Sequence, residues 1–571
     1  MNTDPISIHR FHNKIIACSR CLLYAALSVT VGHAIEAEEP ADDPMRQLQE
    51  DSVKTQKPVY GHWGNQPDKF SAWVNHSNRL IPVYTFGWTL DALRERGSVY
   101  QDPKRLARLY GEVPKSTVNP VALYFDQTDL YDIQKAAYES GIQNVILMVF
   151  DGMDWQTTRA AAIYKNGADQ YQSGRGTGLT FQDYRVAPTD FGLVVTSPAR
   201  GGCPSDVDAQ TTDGAGLPIT GGYDVSRGGR APWLEQTNRG YLIGNDREMP
   251  HTVTDSAASA TSFCSGVKTY NGAINVLPDG TQVTPIARYL QSEHEAADGI
   301  VTSFPKPHAT PGAAYANNVS RKDYQDIARD LLGLRSSSHR RDPLPGVDVL
   351  IGGGYGEGVG EDELQGNNFA AGNKYVHEED VRRIDVDNGG RYIVAKRTKD
   401  VSGSERLMEA ASRAVRTQQR LFGFYGTRGG HLPFQTADGK FNPSFDVKGH
   451  ERYSEADLYE NPTLADMTRA ALLVLEQSID GFWLMIEAGD VDWANHANNL
   501  DSSIGAVLSG EKAFEAVVDW IQDNRAWDVT CVIVTADHGH YLVIDHPERL
   551  AAAGRGELEL PEALTPNEKP R

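Results

Sequence analysis

Six short apolar runs, spaced through the chain from residue 145 onward, constrain its fold more than any other feature. Each run is five or six residues long, rich in Val and Ile, and apolar on both faces. Strands buried in a parallel sheet have this pattern. Because helix-compatible segments separate the runs, we predict an α/β fold with a large, mostly parallel sheet flanked by helices on both faces. The runs are Val145–Phe150, Gly192–Thr196, Gly299–Ser303, Val347–Ile351, Phe482–Ile486 and Cys531–Thr535.

Composition and charge narrow the function classes. Of 571 residues, 40% are hydrophobic and 23% are charged, which excludes collagen-like, coiled-coil and largely disordered chains. The formal net charge of −21 repels nucleic acid and anionic membranes, and no Lys/Arg-rich tract offsets it. We therefore expect that the protein binds no nucleic acid and, once its amino-terminal leader is removed, no membrane.

Residues 1–34 have the organisation of a secretory signal peptide. Basic residues precede the apolar run Cys21–Val31, and the small residues Gly32 and Ala34 fit the −3 and −1 positions of a cleavage site. The run is too short to span a bilayer as a helix. The sequence thus predicts an exported protein, periplasmic or extracellular. Of its five cysteines, three lie beyond the leader, so at most one disulfide can form.

Three regions differ in composition from the part that carries the strands. Residues 35–57 are acidic, polar and aperiodic, which predicts a flexible segment. Residues 58–140 are rich in aromatic residues and Pro, and we expect them to wrap the core without contributing chemistry. Residues 335–460 are polar and Gly-rich and are interpreted as an insertion in a catalytic domain spanning 141–571.

Acidic residues stand at the ends of three apolar runs: Asp151, Glu487 and Asp537. The carboxyl ends of parallel strands share one edge of the sheet, where ligands bind in open α/β folds. Asp492 and His496 are four residues apart, so one helical turn directs both to a common point. Each residue alone is more simply a helix cap or a solvated side chain. Together they indicate a metal site, since clustered carboxylates repel one another unless cations are present.

A candidate nucleophile stands at the start of an Ala-rich helix. The segment Thr254–Thr261 leads from capping residues into that helix and places Ser256 at its amino end. Backbone N–H groups there favour an oxyanion or a phosphate. Alone, the segment would be interpreted as a plain helix cap.

Taken together, four motifs resemble those of the alkaline phosphatase family, and they occur in the same chain order. They are Asp255–Thr261 with Gly266–Thr269, Val149–Met153, Glu487–His496 and Thr535–His540. The resemblance covers roughly residues 144–545. It implies an α/β sandwich, a possible homodimer, and two zinc ions and one magnesium ion per subunit. It also implies hydrolysis of small-molecule phosphate monoesters through a phosphoserine.

The resemblance further implies a role for each matching residue. Ser256 is the nucleophile, and Arg321, thirteen residues after His308, grips the phosphate. His308 and Trp493 stand where some members have Asp and Lys, which alters how tightly magnesium and phosphate are held. The metal residues implied are Asp151, Asp537 and His538 for the second zinc, Asp492 and His496 for the first, and Asp151, Glu487 and Thr310 for magnesium, with His308 beside them. His540 supports a zinc-ligating Asp from outside the ligand set, and Trp493 likewise lies outside it.

One departure concerns the first zinc. Family members carry its third ligand, a histidine, well downstream of the Asp–His pair, but His546 is the last histidine here and its setting does not match. We expect a surface role for His546 and a first site with only two protein ligands. Three alternatives stay open: a phosphodiesterase or a sulfatase of the same superfamily, and a non-catalytic protein that binds metal or phosphate.

Overall fold

The structure is a computed structural model that describes residues 43–234, 238–445 and 452–561. The predicted signal peptide lies outside these residues. Within the described parts of the chain, no helix has both the length and the apolar character needed to cross a membrane. Cys203, Cys264 and Cys531 are all free thiols.

A ten-stranded sheet forms the centre of the fold. Numbered in chain order, its strands are β1 (Ile81–Phe86), β2 (Phe125–Asp126), β3 (Asn144–Phe150), β4 (Thr189–Val195), β5 (Ala297–Pro305), β6 (Val349–Gly353), β7 (Tyr392–Lys396), β8 (Arg420–Phe424), β9 (Phe482–Ala488) and β10 (Thr530–Thr535). In space they follow the order β7-β8-β6-β5-β9-β3-β10-β1-β4-β2. Each of the six apolar runs overlaps one of these strands, so the prediction of a large α/β sheet is confirmed.

Strand direction decides which residues meet at the functional edge. The seven strands from β7 to β10 in the spatial order are parallel to one another. Strand β1 is antiparallel to both of its neighbours, β10 and β4. The start of β1 therefore lies at the edge where the parallel strands end.

Two separate sets of helices cover the sheet, as expected for an α/β sandwich. Leu464–Leu475 and Leu500–Asp523 pack together and against the central strands, and Asp129–Glu139 packs with Ser256–Ser265 in the other set. The longer helices are Pro44–Thr55, Pro103–Tyr110, Asp129–Glu139, Trp155–Asn166, Ser256–Ser265, Ile286–His294, Tyr324–Leu332, Glu378–Ile384, Gly403–Thr417, Leu464–Leu475, Asp490–His496, Leu500–Asp523 and Pro547–Gly554.

Three regional expectations need correction. The segment expected to be flexible contains the helix Pro44–Thr55, which buries Met45 and Leu48 against the core. Residues 58–140 do more than wrap the core, because they supply β1 and β2 to the main sheet. Residues 335–460 are not a simple insertion, because they supply β6, β7 and β8.

The Gly352–Gly354 run is a close-packed strand end. A Cβ on Gly353 would lie 2.3 Å from the carbonyl oxygen of Gly430 and 2.7 Å from that of Phe304. A side chain would not fit between these two backbones, so the glycine lets the loop around residue 430 approach β5 and β6.

Candidate active site

His76 lies in the short segment that leads into β1. Two residues further on, the Asn78 N–H donates to the carbonyl of Leu242, and the Ser77 N–H donates to that of Gly539. These bonds fix the segment at the sheet edge beside the loop that follows β10. An imidazole from the amino-terminal region thus reaches the carboxyl ends of the parallel strands.

Four side chains form a first metal-binding group: His76, Asp492, His496 and His540. One ligand atom from each lies within 4.8 Å of the others. His76 Nε2 is 3.1 Å from His496 Nε2 and 3.8 Å from Asp492 Oδ1. His496 Nε2 is 3.4 Å from the same oxygen. Asp492 and His496 are one turn apart on the helix Asp490–His496, as their spacing predicted.

The hydrogen bonds of His76 and His496 turn the Nε2 atoms of the two rings toward each other. His76 Nδ1 lies 2.9 Å from the carbonyl of Thr254, and His496 Nδ1 lies 2.8 Å from that of Val74. A carbonyl only accepts, so each Nδ1 carries the proton, and in a neutral imidazole Nε2 is then a lone pair. Burial holds the pKa of His76 well below its ordinary value, so this ring is neutral. Two Nε2 atoms directed at one point fit a cation between them.

The imidazole of His540 contacts Asp492 directly. Its Nε2 lies 2.7 Å from Asp492 Oδ1, and both side chains are buried. Burial alone would raise the pKa of Asp492, but the surrounding imidazoles, His496 foremost, hold it well below the usual range. The carboxylate is therefore ionised and available to a metal.

A second group contains Asp151, Asp492 and His538. His538 Nε2 lies 3.4 Å from Asp151 Oδ1 and 3.2 Å from Asp537 Oδ2. The other oxygen of Asp537 accepts from the N–H of Gly152 at 2.9 Å, which ties the loops after β3 and β10 together. Asp492 belongs to both groups, so the two sites are adjacent.

Glu487, near the end of β9, and Thr310 define a third position. Glu487 Oε2 accepts from the Thr302 hydroxyl, whereas Oε1 and the Thr310 hydroxyl are buried without a hydrogen-bond partner among the described residues. Burial raises the pKa of Glu487, and Thr310 lies close enough to offset part of that rise. Oxygen donors of this kind suit magnesium.

The buried carboxylates repel one another strongly. Burial, and then the charges of Asp537 and Asp492, raise the pKa of Asp151 well above its ordinary value. Burial is also the largest cause of the raised pKa of Glu487, about 8, and of Asp537, about 6. Both oxygens of Asp151 and one oxygen of Asp537 are buried without a hydrogen-bond partner in the described part of the chain. These oxygens and imidazoles fit divalent cations, which would satisfy them and offset their charge.

The candidate nucleophile borders the second group. Ser256 is the first residue of the helix Ser256–Ser265, and Asp255 caps that helix by accepting from the N–H of Ala258 at 3.0 Å. Ser256 Oγ lies 3.2 Å from His538 Nε2. Asp255 also pairs with Arg321 at 3.1 Å, so one carboxylate holds the guanidinium near the serine.

Two further residues of the predicted set, His308 and Trp493, lie beside Arg321 and the metal groups. The ring of His308 stacks on Tyr324 with centroids 6.1 Å apart and contacts Trp493 at 6.0 Å. Its Nδ1 is buried without a hydrogen-bond partner in the described residues. Burial, and then the charge of Arg321, lower the pKa of His308 to about 3, so the ring is neutral.

The expectation of a first site with only two protein ligands did not include His76, which lies with Asp492, His496 and His540 in the first group. His546 is part-exposed and bonds the neighbouring Glu548, in keeping with a surface role. His76 was missed because it belongs to no motif in the sequence. The one available signal was the apolar segment after it, Ile81–Phe86, which could have been interpreted as a strand of the sheet.

Comparison with known proteins identifies the family. A family model described as alkaline phosphatase matches residues 237–554, more than half of the chain, so the chain belongs to the alkaline phosphatase family. The matched range includes Ser256, Arg321, Glu487 and Asp537 but leaves out His76 and Asp151.

Individual relatives are distant. The chain is 27% identical over 333 residues to alkaline phosphatase 3 of Bacillus subtilis, which covers 57% of this chain and 59% of that protein. It is 28% identical over 434 residues to alkaline phosphatase H of Pseudomonas aeruginosa, covering 73% of each. A cold-active alkaline phosphatase from Shewanella sp. is 22% identical, with a TM-score of 0.41 over 70% of this chain and 68% of that one. The match thus spans less than two thirds of the Bacillus relative.

Proposed function

We propose that this protein is a metal-dependent phosphatase that hydrolyses phosphate monoesters through a phosphoserine at Ser256. The observation that carries the proposal is the position of the Ser256 hydroxyl, which borders the buried acidic and imidazole groups while Asp255 holds Arg321 beside it. A nucleophile, a cation for the phosphate and a place for metals therefore meet at one point.

The residues divide among three metal positions. Two zinc ions and one magnesium ion suit the donor chemistry, since imidazole with carboxylate favours zinc and oxygen alone favours magnesium. The first zinc would be held by His76, Asp492 and His496, and the second by Asp151, Asp537 and His538. The magnesium would be held by Asp151, Glu487 and Thr310, with His308 nearby.

In the first half-reaction, Ser256 Oγ attacks phosphorus, a P–O bond to serine forms, and the bond to the leaving oxygen breaks in line. The serine proton is lost and the departing alcohol gains one. Water then breaks the phosphoserine, releases phosphate and restores the hydroxyl. When bound, the divalent cations activate hydroxyl groups and neutralise charge on the phosphoryl oxygens.

Arg321 binds the non-bridging phosphoryl oxygens in both steps. Its partner Asp255 sits next to Ser256 in sequence, so the guanidinium and the nucleophile share one rigid support. The net charge of −21 gives anionic substrates no general attraction, so local cations provide their affinity.

Replacing the nucleophile tests the proposal. We expect Ser256→Ala to abolish turnover of phenyl phosphate while metal content and the unfolding midpoint change little, because the hydroxyl supplies the bond-forming atom and little packing. Ser262→Ala is the matched control, since that serine lies on the same helix and its hydroxyl only bonds the carbonyl of Ala258.

Substantial activity in Ser256→Ala would refute the nucleophile. A wild-type protein that cleaves bis(4-nitrophenyl) phosphate much faster than the monoester would instead support a diesterase. Absence of turnover with zinc and magnesium in excess would support a non-catalytic protein.

Export completes the proposal. The charge and hydropathy pattern of residues 1–34 supports a cleavable leader. Sequencing the amino terminus of the protein secreted from its host would place the cleavage after Ala34, and a chain retained in the cytoplasm with Met1 intact would contradict it.

A further inference from the structure

Aromatic side chains from the 335–460 segment pack against the helix that carries the metal ligands. The ring of His431 lies 5.3 Å from that of Trp493 and stacks on Phe434 at 4.3 Å. Phe434 in turn lies 6.5 Å from Trp493. We call these three residues the aromatic wall. Trp493 directly follows Asp492, so the wall begins one residue from the metal-binding group.

Buried rings fix the wall from behind. Phe304 contacts Trp493 at 4.3 Å and His308 contacts it at 6.0 Å, and both of these residues are buried. His431 is buried as well, whereas Trp493 and Phe434 are only partly covered. The wall therefore presents its outer two rings to solvent.

Backbone contacts hold the wall in place on the strand edge. The Leu432 N–H donates to the carbonyl of Ser303, at the end of β5, at 3.0 Å. The Phe434 N–H donates to the hydroxyl of Tyr453 at 3.0 Å. A surface that is already ordered binds a flat ring at a small entropic cost.

The wall borders the predicted phosphate-binding residues, because Trp493 contacts His308 and His308 lies near Arg321. In-line displacement moves the leaving oxygen away from the attacking atom. Ser256 borders the Asp151–Asp492–His538 group, and the other group, which shares Asp492, adds His76, His496 and His540. An alcohol that departs away from Ser256 passes the helix Asp490–His496, on which Trp493 is a partly exposed aromatic residue.

We propose that the aromatic wall binds the leaving group and makes the enzyme selective for phosphate monoesters whose alcohol carries a planar aromatic ring. This inference rests on the proposed phosphatase function. Phe434 is its specificity-determining residue, because the 335–460 segment contributes two rings to the wall, His431 and Phe434, and only Phe434 is partly exposed. Offset or edge contacts between a substrate ring and Phe434 supply the preference.

Selectivity is measured as the ratio of kcat/KM for phenyl phosphate to kcat/KM for glycerol 2-phosphate. We expect Phe434→Leu to lower this ratio about two- to tenfold, mainly through KM, since an aromatic pair contributes about 0.5–1.5 kcal/mol. Phe434→Tyr keeps the ring and should keep the ratio. Phe445→Leu is the matched control, because this exposed phenylalanine of the same segment packs against the ammonium group of Lys54. An unchanged ratio in Phe434→Leu overturns the proposal.

Binding without turnover separates this proposal from the phosphatase proposal. We expect the metal-loaded wild type to bind benzylphosphonate more tightly than butylphosphonate in calorimetry, and Phe434→Leu to lose that preference. Equal affinities in the wild type overturn the wall's role even if Phe434→Leu does not fold. A benzyl preference in a protein that hydrolyses neither ester would keep the wall and refute the phosphatase.

Discussion

His76 and His496 place their Nε2 atoms 3.1 Å apart, although 420 positions separate them in the chain. Each ring is oriented by a carbonyl at its Nδ1, so the two Nε2 atoms converge beside Asp492. Site assembly thus depends on one edge of the sheet. There the antiparallel strand β1 begins next to the carboxyl ends of the parallel strands. In the proposed first zinc site, His76 lies upstream of Asp492, whereas the family resemblance implied a histidine downstream of the Asp–His pair.

We predict that His76→Ala loses the metal of the first group. Removing an outer hydrogen-bond partner of a ligand weakens metal affinity by about 10–100-fold, so removing the ligand itself should weaken zinc binding by more than about a hundredfold. Metal analysis after mild dialysis should show one zinc fewer per chain than in the wild type. His546→Ala is the control, because that histidine is part-exposed beside Glu548. Equal zinc content in His76→Ala and wild type would remove His76 from the ligand set.

The core of the sheet could be predicted because its strands are apolar on both faces. β3, β9 and β10 are fully buried and carry the acidic residues at their ends, so pattern and chemistry coincide in the sequence. Strand β1 was missed, since Pro82 interrupts it and its neighbourhood resembles an aromatic-rich loop. With β1 unrecognised, nothing in the sequence linked His76 to the metal residues.

The 335–460 segment shows the same limit. Its strands β7 and β8 lie at the edge of the sheet and mix apolar residues with Arg, Lys and Gly, so composition suggested an insertion. Strand pairing reveals their place: Leu421 of β8 lies opposite Val349 of β6, and Tyr392 of β7 lies opposite Arg420 of β8. Pairing between distant segments of this kind leaves little trace in the local pattern of a single sequence.

We predict that Arg321→Ala weakens inhibition by inorganic phosphate about ten- to hundredfold. Hydrogen bonds to charged groups contribute about 1.5–3 kcal/mol, and about 1.36 kcal/mol corresponds to a factor of ten. Arg321→Lys keeps the charge but loses the paired N–H donors, so its inhibition constant should fall between those of Arg321→Ala and wild type. Steady-state inhibition by phosphate measures the effect. An inhibition constant unchanged in Arg321→Ala would show that the arginine does not touch the phosphate.

The amino-terminal region is joined to the nucleophile helix by a fully buried ion pair. Lys268 Nζ lies 3.1 Å from Asp126 Oδ1, and neither side chain is exposed. Asp126 is the last residue of β2, and Lys268 lies three residues after the end of the helix Ser256–Ser265. The carboxylate also accepts from Thr128 and Tyr100. The pair therefore couples the region that supplies His76 to the helix that supplies Ser256.

We predict that Lys268→Met destabilises the protein by about 3–5 kcal/mol, because it leaves the Asp126 charge buried and unpaired. Adding Asp126→Asn removes that charge while keeping an oxygen that accepts hydrogen bonds. The double variant should therefore recover a large part of the lost stability. Urea unfolding of the two single variants and the double variant measures the coupling. Strictly additive losses would show that the two side chains do not act as a pair.

Asp501 is a buried carboxyl group outside the metal site, and it makes the stability of the fold depend on pH. Asp501 lies at the start of the helix Leu500–Asp523, fully buried, and its Oδ1 accepts from the N–H of Ala437 at 3.0 Å. Burial, and then the charge of Asp43, raise its pKa from 3.8 to about 7. The folded state therefore holds this proton more tightly than the unfolded chain does.

The sign of the pH effect follows from that difference. Stability from the Asp501 proton is fully present below about pH 4 and is lost as pH rises through about 7, because the folded protein must then bury the ionised form. We expect the urea midpoint of Asp501→Asn to fall less between pH 5 and pH 8 than that of the wild type, since the amide stays neutral and still accepts from Ala437. Asp519→Asn, an exposed site on the same helix, should follow the wild type. Parallel curves for Asp501→Asn and wild type across this range would show that Asp501 is already ionised at pH 5.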